Sequence, residues 1–451
     1  MTTTYLDRMA GFASTLAYAD LPAPVVLRAH WLLLDGIAVM LAGAREPRIG
    51  ALARLLQKRG SSGRSVFTTD GTRGDAADAA LVNATAACAH VLDEGHKYAR
   101  GHVGTYVMPA VLAVAEERAV SCTELVTALV VGYELAARMG MACRVHETMH
   151  PSGTWGTIGA AAAVARLMGF APARIREAMN VAAPLTLATS WQAATQGATV
   201  RDLYSGQGAA NAVMAPRWVE AGFTGSDDDV AHIFGRVVSN RFDSEVAAGE
   251  LGTRWEVLRN YFKIHACCRN FQSGIDAALA LRERYRLAGE DIVAIRADTF
   301  AVPARDNAEA RPANVLAAKE SFPVSLALTL RHGRCDQSVF TEDNVAHPEI
   351  ARLAGSAVVR CDPELDARAP EERPARITLT LADGRSVSEY WPVARGDPSR
   401  PLSAAELEAK FDAAVGAALG AARAEAIKAA VRGMTPQAPL AALTRLLETA
   451  A

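Results

Sequence analysis

Residues 375–392, ARITLTLADGRSVSEYWP, alternate apolar and polar positions on both sides of Asp383-Gly384. That period belongs to a strand rather than a helix, and the Asp-Gly pair marks a tight turn, so the stretch predicts a β-hairpin. No comparable strand signal occurs before about residue 265. Moving outward, residues 291–300 (DIVAIRADTF) alternate and are β-branched, and 357–361 form a short strand candidate. Helical patterns at 271–285 and 324–332 lie between them. Together these segments read as a small α+β unit over 269–395. Within it, 364–374 (ELDARAPEERP) reads as an exposed loop.

On both sides of this unit the chain reads as helix after helix. The segment 23–42 follows Leu21-Pro22 and carries Val26, Ala29, Leu33, Ile37 and Met40 at helical spacing. The pattern continues at 75–92, 109–117, 122–140 and 155–168. After the hairpin, Ser403 and Glu406 form a capping box, and helices are expected at 405–426 and 439–450. The expectation is therefore a mainly α fold. A large, discontinuous helical domain (1–268 and 396–451) carries an inserted α+β lid at 269–395. The cleft between the two is the default ligand site.

Composition narrows the function. The chain has 451 residues, half of them hydrophobic, with 47 basic against 49 acidic residues and a formal charge of −2. A core of useful size is possible, and the charge balance argues against a dedicated nucleic-acid or anionic-membrane binder. Seven cysteines without a short spaced framework do not suggest a disulfide scaffold. No signal peptide is visible, and no stretch of about 18 uncharged apolar residues occurs. A soluble cytoplasmic protein is expected. Only six of the basic residues are lysines (58, 97, 263, 319, 410 and 428), so each retained lysine draws notice.

Several motifs invite chemistry. His146-Glu147-Thr148-Met149-His150 matches the H-E-x-x-H zinc pattern, which requires a helix running through both histidines. Pro151 follows at once and disfavours helix at His150, so the better reading is a loop carrying two histidines and no metal. Gly153, Gly156 and Gly159 fit close helix packing better than a phosphate loop, and no nucleotide cofactor is indicated. The densest polar cluster is Asp93-Glu94-Gly95-His96-Lys97-Tyr98-Ala99-Arg100-Gly101-His102. It reads as a loop that brings a proton carrier and anion-binding cations to a cleft. Lys263-Ile264-His265-Ala266-Cys267-Cys268-Arg269 lies where helical character ends. There Lys263 and His265 are the functional candidates and the two cysteines are packing residues. Arg201 precedes a helix expected from about Gln207, whose N-terminus could hold a carboxylate; ordinary capping explains the same residues equally well.

In combination these stretches resemble the MmgE/PrpD family, which includes 2-methylcitrate dehydratase, cis-aconitate decarboxylase and iminodisuccinate epimerase. The resemblance runs over nearly the whole chain. Its most specific stretch is His150-Pro151-Ser152-Gly153-Thr154-Trp155-Gly156, supported by Gly132-Tyr133-Glu134, Ala221-Gly222-Phe223-Thr224-Gly225 and Lys263 to Arg269. It implies a helical domain with an α+β lid, a homodimer, and cofactor-free chemistry on a small polycarboxylate. It also implies that Asp93, His102, His150 and Lys263 stand at active-site positions and that Lys319 to Pro323 belongs to the lid. Arg201 stands where a lysine is common. The run Asp93-Glu94-Gly95-His96-Lys97 departs from the usual Asp-Phe-Asp-Asp-Thr, and Val103 replaces a proline.

All three activities manage a carbanion-like centre beside a carboxylate. Cations must stabilise the developing charge, and a base must lie within hydrogen-bond reach. His102 and His150 are expected to be the proton-transfer pair, with Asp93 orienting a neighbour. Lys97, Arg100, Arg201, Lys263, His96 and His265 are the candidate substrate-binding groups. A lyase is the first expectation, and an epimerase with two bases is the alternative. A non-catalytic carboxylate binder is a third reading, distinguishable because it would bind polycarboxylates without turnover or solvent exchange.

Overall fold

Small residues decide how the helices meet. The computed structural model describes residues 3–60, 62–436 and 438–448, with backbone only at 416–418. Its first long helix, α1 (Ala23–Gly43), begins at Pro22-Ala23-Pro24, where missing N–H groups cost nothing. It ends on Gly43, at which a Cβ would lie 1.9 Å from the carbonyl oxygen of Ala86. Ala86 belongs to α2 (Ala76–Cys88), which is capped by the Asp75 carboxylate accepting from the Ala77 N–H. Next come α3 (Gly104–Arg118), α4 (Cys122–Ala142) and α5 (Gly156–Leu167). Gly159 of α5 sits so close to α4 that a Cβ would fall 2.3 Å from the Ala136 nitrogen. Thus the glycine series 153, 156, 159 is the packing device expected, although a three-residue strand, Cys143–Val145, precedes it. Helix α6 (Val200–Glu220) crosses α2, with Gly206 against Thr85 and Leu81.

The α+β unit forms one four-stranded sheet. Its strands are β1 (Ile292–Thr299), β2 (Ala357–Cys361), β3 (Ala375–Leu381) and β4 (Ser386–Trp391), in the order β4-β3-β1-β2. Strands β1 and β2 run parallel and the other neighbours antiparallel. On β3 the residues Ala375, Ile377, Leu379 and Leu381 are buried, and the residues between them are not. Helices α7 (Gln272–Tyr285) and α8 (Phe322–His332) accompany the sheet and are joined to each other through the stacked Phe271 and Phe322 rings, 4.8 Å apart. The hairpin turn is one residue longer than a two-residue turn. The Leu381 N–H donates to the Arg385 carbonyl at 2.8 Å, and Gly384 takes the left-handed position at φ +87°.

The chain then returns to the helical body. The Ser403–Glu406 capping box forms as expected. The single helix expected over 405–426 is instead α9 (Ala404–Leu419) and α10 (Ala421–Arg432), because Gly420 adopts φ +74° and breaks it. The helix expected over 439–450 is short (Leu440–Thr444), and residues 449–450 lie outside the described residues. Helix α9 packs on α1, where Lys410 pairs with Asp35 and donates to the Leu92 carbonyl at 3.0 Å.

Helices α1 and α4 are each 21 residues long and, by length and composition, apolar enough to cross a membrane. Neither is an uncharged apolar stretch, since α1 carries Arg28 and Asp35 and α4 carries Glu124, Glu134 and Arg138, the last two enclosed in the fold. Both helices are largely enclosed by the fold, and the apolar window of α4 is 94% buried, as in core helices.

Candidate active site

Helix α2 ends at Cys88, four residues earlier than expected, and the change builds the site. Val91 takes φ +54°, a strained conformation for a β-branched residue, and its carbonyl accepts from Lys263 Nζ at 2.9 Å. The loop that follows pairs Gly95-His96 antiparallel with Asn260-Tyr261. That short ladder sets Asp93 beside Lys263, 170 residues downstream. Gly95 is required there, since a Cβ would sit 2.3 Å from the Tyr261 hydroxyl.

Asp93 is fully enclosed. Its Oδ2 accepts from the Thr105 hydroxyl at 2.8 Å and lies 3.1 Å from His102 Nδ1, and its Oδ1 lies 3.6 Å from Lys263 Nζ. Burial alone would raise its pKa, but His102, Lys263 and Arg201 hold it well below the usual carboxylate range.

The two histidines are held as opposite tautomers. His102 Nδ1 lies 2.7 Å from the Glu94 carbonyl oxygen, which can only accept. Nδ1 therefore carries the proton and Nε2 is left with a lone pair. His150 Nδ1 instead accepts from the Ser152 N–H at 3.2 Å, so its Nε2 carries the proton. Burial lowers both pKa values. His102 is pushed down to about 4 despite Asp93, and His150 goes well below the ordinary value with Arg201 and His102 adding to the effect. Both rings are thus neutral at pH 7. His150 also stacks on Trp191, with centroids 5.0 Å apart.

His102 and His150 line one cavity of about 390 Å³, together with Lys97, Arg100, Arg201 and Lys263. This size lies within the usual range for small-molecule sites. Eight lysines and arginines line it against four carboxylates, so an anion is the favoured occupant. Arg201 sits in the first turn of α6, a helix that begins at Val200 rather than near Gln207. Its Nη1 donates to the Cys88 carbonyl at 2.8 Å and lies 3.4 Å from Asp202. Arg100, at φ +59°, stands near Arg144, Arg241 and Arg373, with which burial lowers its pKa.

Two expected ligand groups do not face this space. His96 is enclosed behind the loop, 3.2 Å from Glu256, and its Nδ1 accepts from the Ala99 N–H. His265 lies 3.0 Å from Asp276 within the α+β unit. Both are committed to internal polar pairs. Lys97 reaches the cavity but is also tied down: its Nζ donates to the Glu371 carbonyl at 2.7 Å and lies 3.3 Å from Asp397. The loop 364–374 is largely exposed, as expected, and also walls the cavity through Asp366, Ala369, Pro370 and Arg373. Sequence reading also passed over Trp191 and Glu320, both cavity-lining; only the position of Glu320 beside Lys319 hinted at it. The H-E-x-x-H segment is irregular from His146 to His150 and does not present its two histidines on a helical face.

Fold and site together define a helical protein with a cationic, histidine-bearing cavity walled in part by an α+β unit. Two family matches give this class its identity: the MmgE/PrpD N-terminal domain over residues 7–245 and the MmgE/PrpD C-terminal domain over 265–435. The chain belongs to the MmgE/PrpD family. Among curated relatives, it is 26% identical to a cis-aconitate decarboxylase of Aspergillus terreus, over 97% of this chain and 94% of the relative. It is 23% identical to cis-aconitate decarboxylase of Mus musculus, over 98% and 93% of the two chains. A cis-aconitate decarboxylase-like protein of Aspergillus oryzae is 24% identical over 97% and 96%.

Proposed function

We propose that this protein is a lyase that removes water or carbon dioxide from a small di- or tricarboxylate, with proton transfer at a carbon beside a carboxylate. The observation that carries this reading is the pairing of opposite, neutral histidine tautomers on one cationic cavity. His102 Nε2 is a base without a proton to lose. It takes the proton from the carbon, and Asp93 at Nδ1 stabilises the imidazolium that results. His150 Nε2–H is a donor. It gives its proton to a departing hydroxyl, or to the carbanion left by loss of carbon dioxide. Lys263 and Arg201 stabilise the carboxylate on which charge accumulates. No step in this scheme calls for a cofactor. The same base and acid would also serve an epimerase, which removes a proton on one face and returns it on the other.

Proton NMR in deuterated water, with cis-aconitate, 2-methylcitrate and iminodisuccinate, tests the reading. New vinyl signals or loss of a carboxylate establish a lyase. Deuterium entering beside a carboxylate with the skeleton unchanged establishes an epimerase. Tight binding with neither outcome would leave a carboxylate-binding protein and overturn the proposal.

A further inference from the structure

Glu320 is one of four carboxylates in a cavity lined mainly by cations. It is 5% exposed, lines the cavity, and follows the short helix Val315–Lys319. Its backbone is fixed from three directions. The Cys268 N–H donates to the Lys319 carbonyl at 2.9 Å, the Asn307 amide donates to the Glu320 carbonyl at 2.8 Å, and the Ser321 hydroxyl caps α8. The side chain therefore has a defined position. Yet among the described residues its Oε2 has no hydrogen-bond partner and is shielded from solvent. Arg201, whose charge it feels, already donates to the Cys88 carbonyl and pairs with Asp202.

A desolvated carboxylate oxygen without a donor is costly, and such atoms in folded proteins call for an explanation. The Cys268 thiol, a weak donor, reaches the carboxylate but leaves Oε2 without a partner, so a full donor must come from what enters the cavity. An ionised carboxylate can only accept, and it repels the carboxylates for which the rest of the cavity is suited. The structure assigns Glu320 as the specificity residue for a hydrogen-bond donor on the substrate, a hydroxyl or an ammonium group carried by the polycarboxylate. This deepens the lyase reading and rests on it. An olefinic polycarboxylate with no hydroxyl or amine would leave Glu320 unsatisfied, whereas a hydroxy acid losing water would satisfy it with the group that departs.

The test is calorimetric binding of matched, unreacted ligands that differ only in the donor: succinate, malate and aspartate, with tricarballylate and citrate as the larger pair. The wild type is expected to bind the donor-bearing member about 10- to 100-fold more tightly. Preference for malate identifies a hydroxyl, and preference for aspartate an ammonium. Glu320→Leu should abolish the preference, with succinate and tricarballylate bound at least as tightly as by the wild type because the repulsion is gone. Glu320→Gln, which keeps an acceptor without charge, should fall between and covers the case in which the leucine variant does not fold. Equal wild-type affinity within each series would overturn the assignment while leaving the polycarboxylate reading intact. Absence of binding by every member would overturn both.

Discussion

His102 and His150 show how a single backbone contact assigns a chemical role. Neither ring differs from the other as a side chain; one faces a carbonyl and the other an N–H, and that alone leaves one Nε2 with a lone pair and the other with a proton. His102→Ala and His150→Ala should each lower turnover by about a hundred- to ten-thousand-fold with the fold retained by circular dichroism. Near-normal rates in both would remove the assignment. Because His102 titrates near 4 rather than at the ordinary value, kcat/KM should hold down to about pH 5 before its acid limb appears. A limb at 6 to 7 would show that the ring is not desolvated. The same shift bears on stability. Between about 4 and 6.5 the unfolded chain binds a proton at this histidine and the folded chain does not, so stability rises with pH across that window. The group's contribution, on the order of 3 kcal/mol, is present above pH 6.5 and lost as pH falls toward 4. His90, also pushed down to about 4 chiefly by burial, acts in the same direction. Urea midpoints at pH 7, 5.5 and 4.5 should decline in that order; a flat profile would contradict both shifts.

At the scale of elements, the glycines of α5 carry an expectation of their own. A Cβ on Gly156 would fall 1.7 Å from the Tyr106 ring, and one on Gly159 would meet the α4 backbone. Gly159→Ala should cost about 1–3 kcal/mol or more in urea unfolding, since backbone cannot move aside as a side chain can. An unchanged midpoint would mean that α4 and α5 are not held at this distance. These elements were legible in sequence because period and end signals agree there: the hairpin around Gly384, the Pro22 start and the Ser403 cap all appear as read. Where they misled, a local signal lost to its surroundings. Pro109 reads as the start of a helix that in fact begins at Gly104, so it sits inside α3. Gly420 lies in an alanine-rich run whose pattern continues through it, although it divides α9 from α10.

Across the whole molecule, pairings between distant residues were the part no local pattern could reveal. The Asp93 and Lys263 positions were recognisable as motifs, but not the two-residue ladder at Gly95-His96 that joins them, nor the burial of His96 and His265. Lys97 belongs to this scale as well. It ties the Asp93 loop to the Glu371 carbonyl, next to the wall residue Pro370, and to Asp397. Lys97→Met should raise KM and increase hydrogen exchange across 366–374, with the helical body unchanged; unaltered exchange there would show that the tie does not restrain the wall. The return of α9 to α1 has a consequence in the order of synthesis. Asp35 is enclosed near the N-terminal end of the chain, and its partner Lys410 is translated some 375 residues later. Until that helix leaves the ribosome, the nascent helical layer holds a carboxylate that must stay hydrated or protonated, and the Leu92 carbonyl just ahead of Asp93 lacks its donor. The Asp93 loop is therefore among the last parts of the protein to set, and a chain stopped short of residue 404 would display most of the family's sequence while lacking a finished cavity.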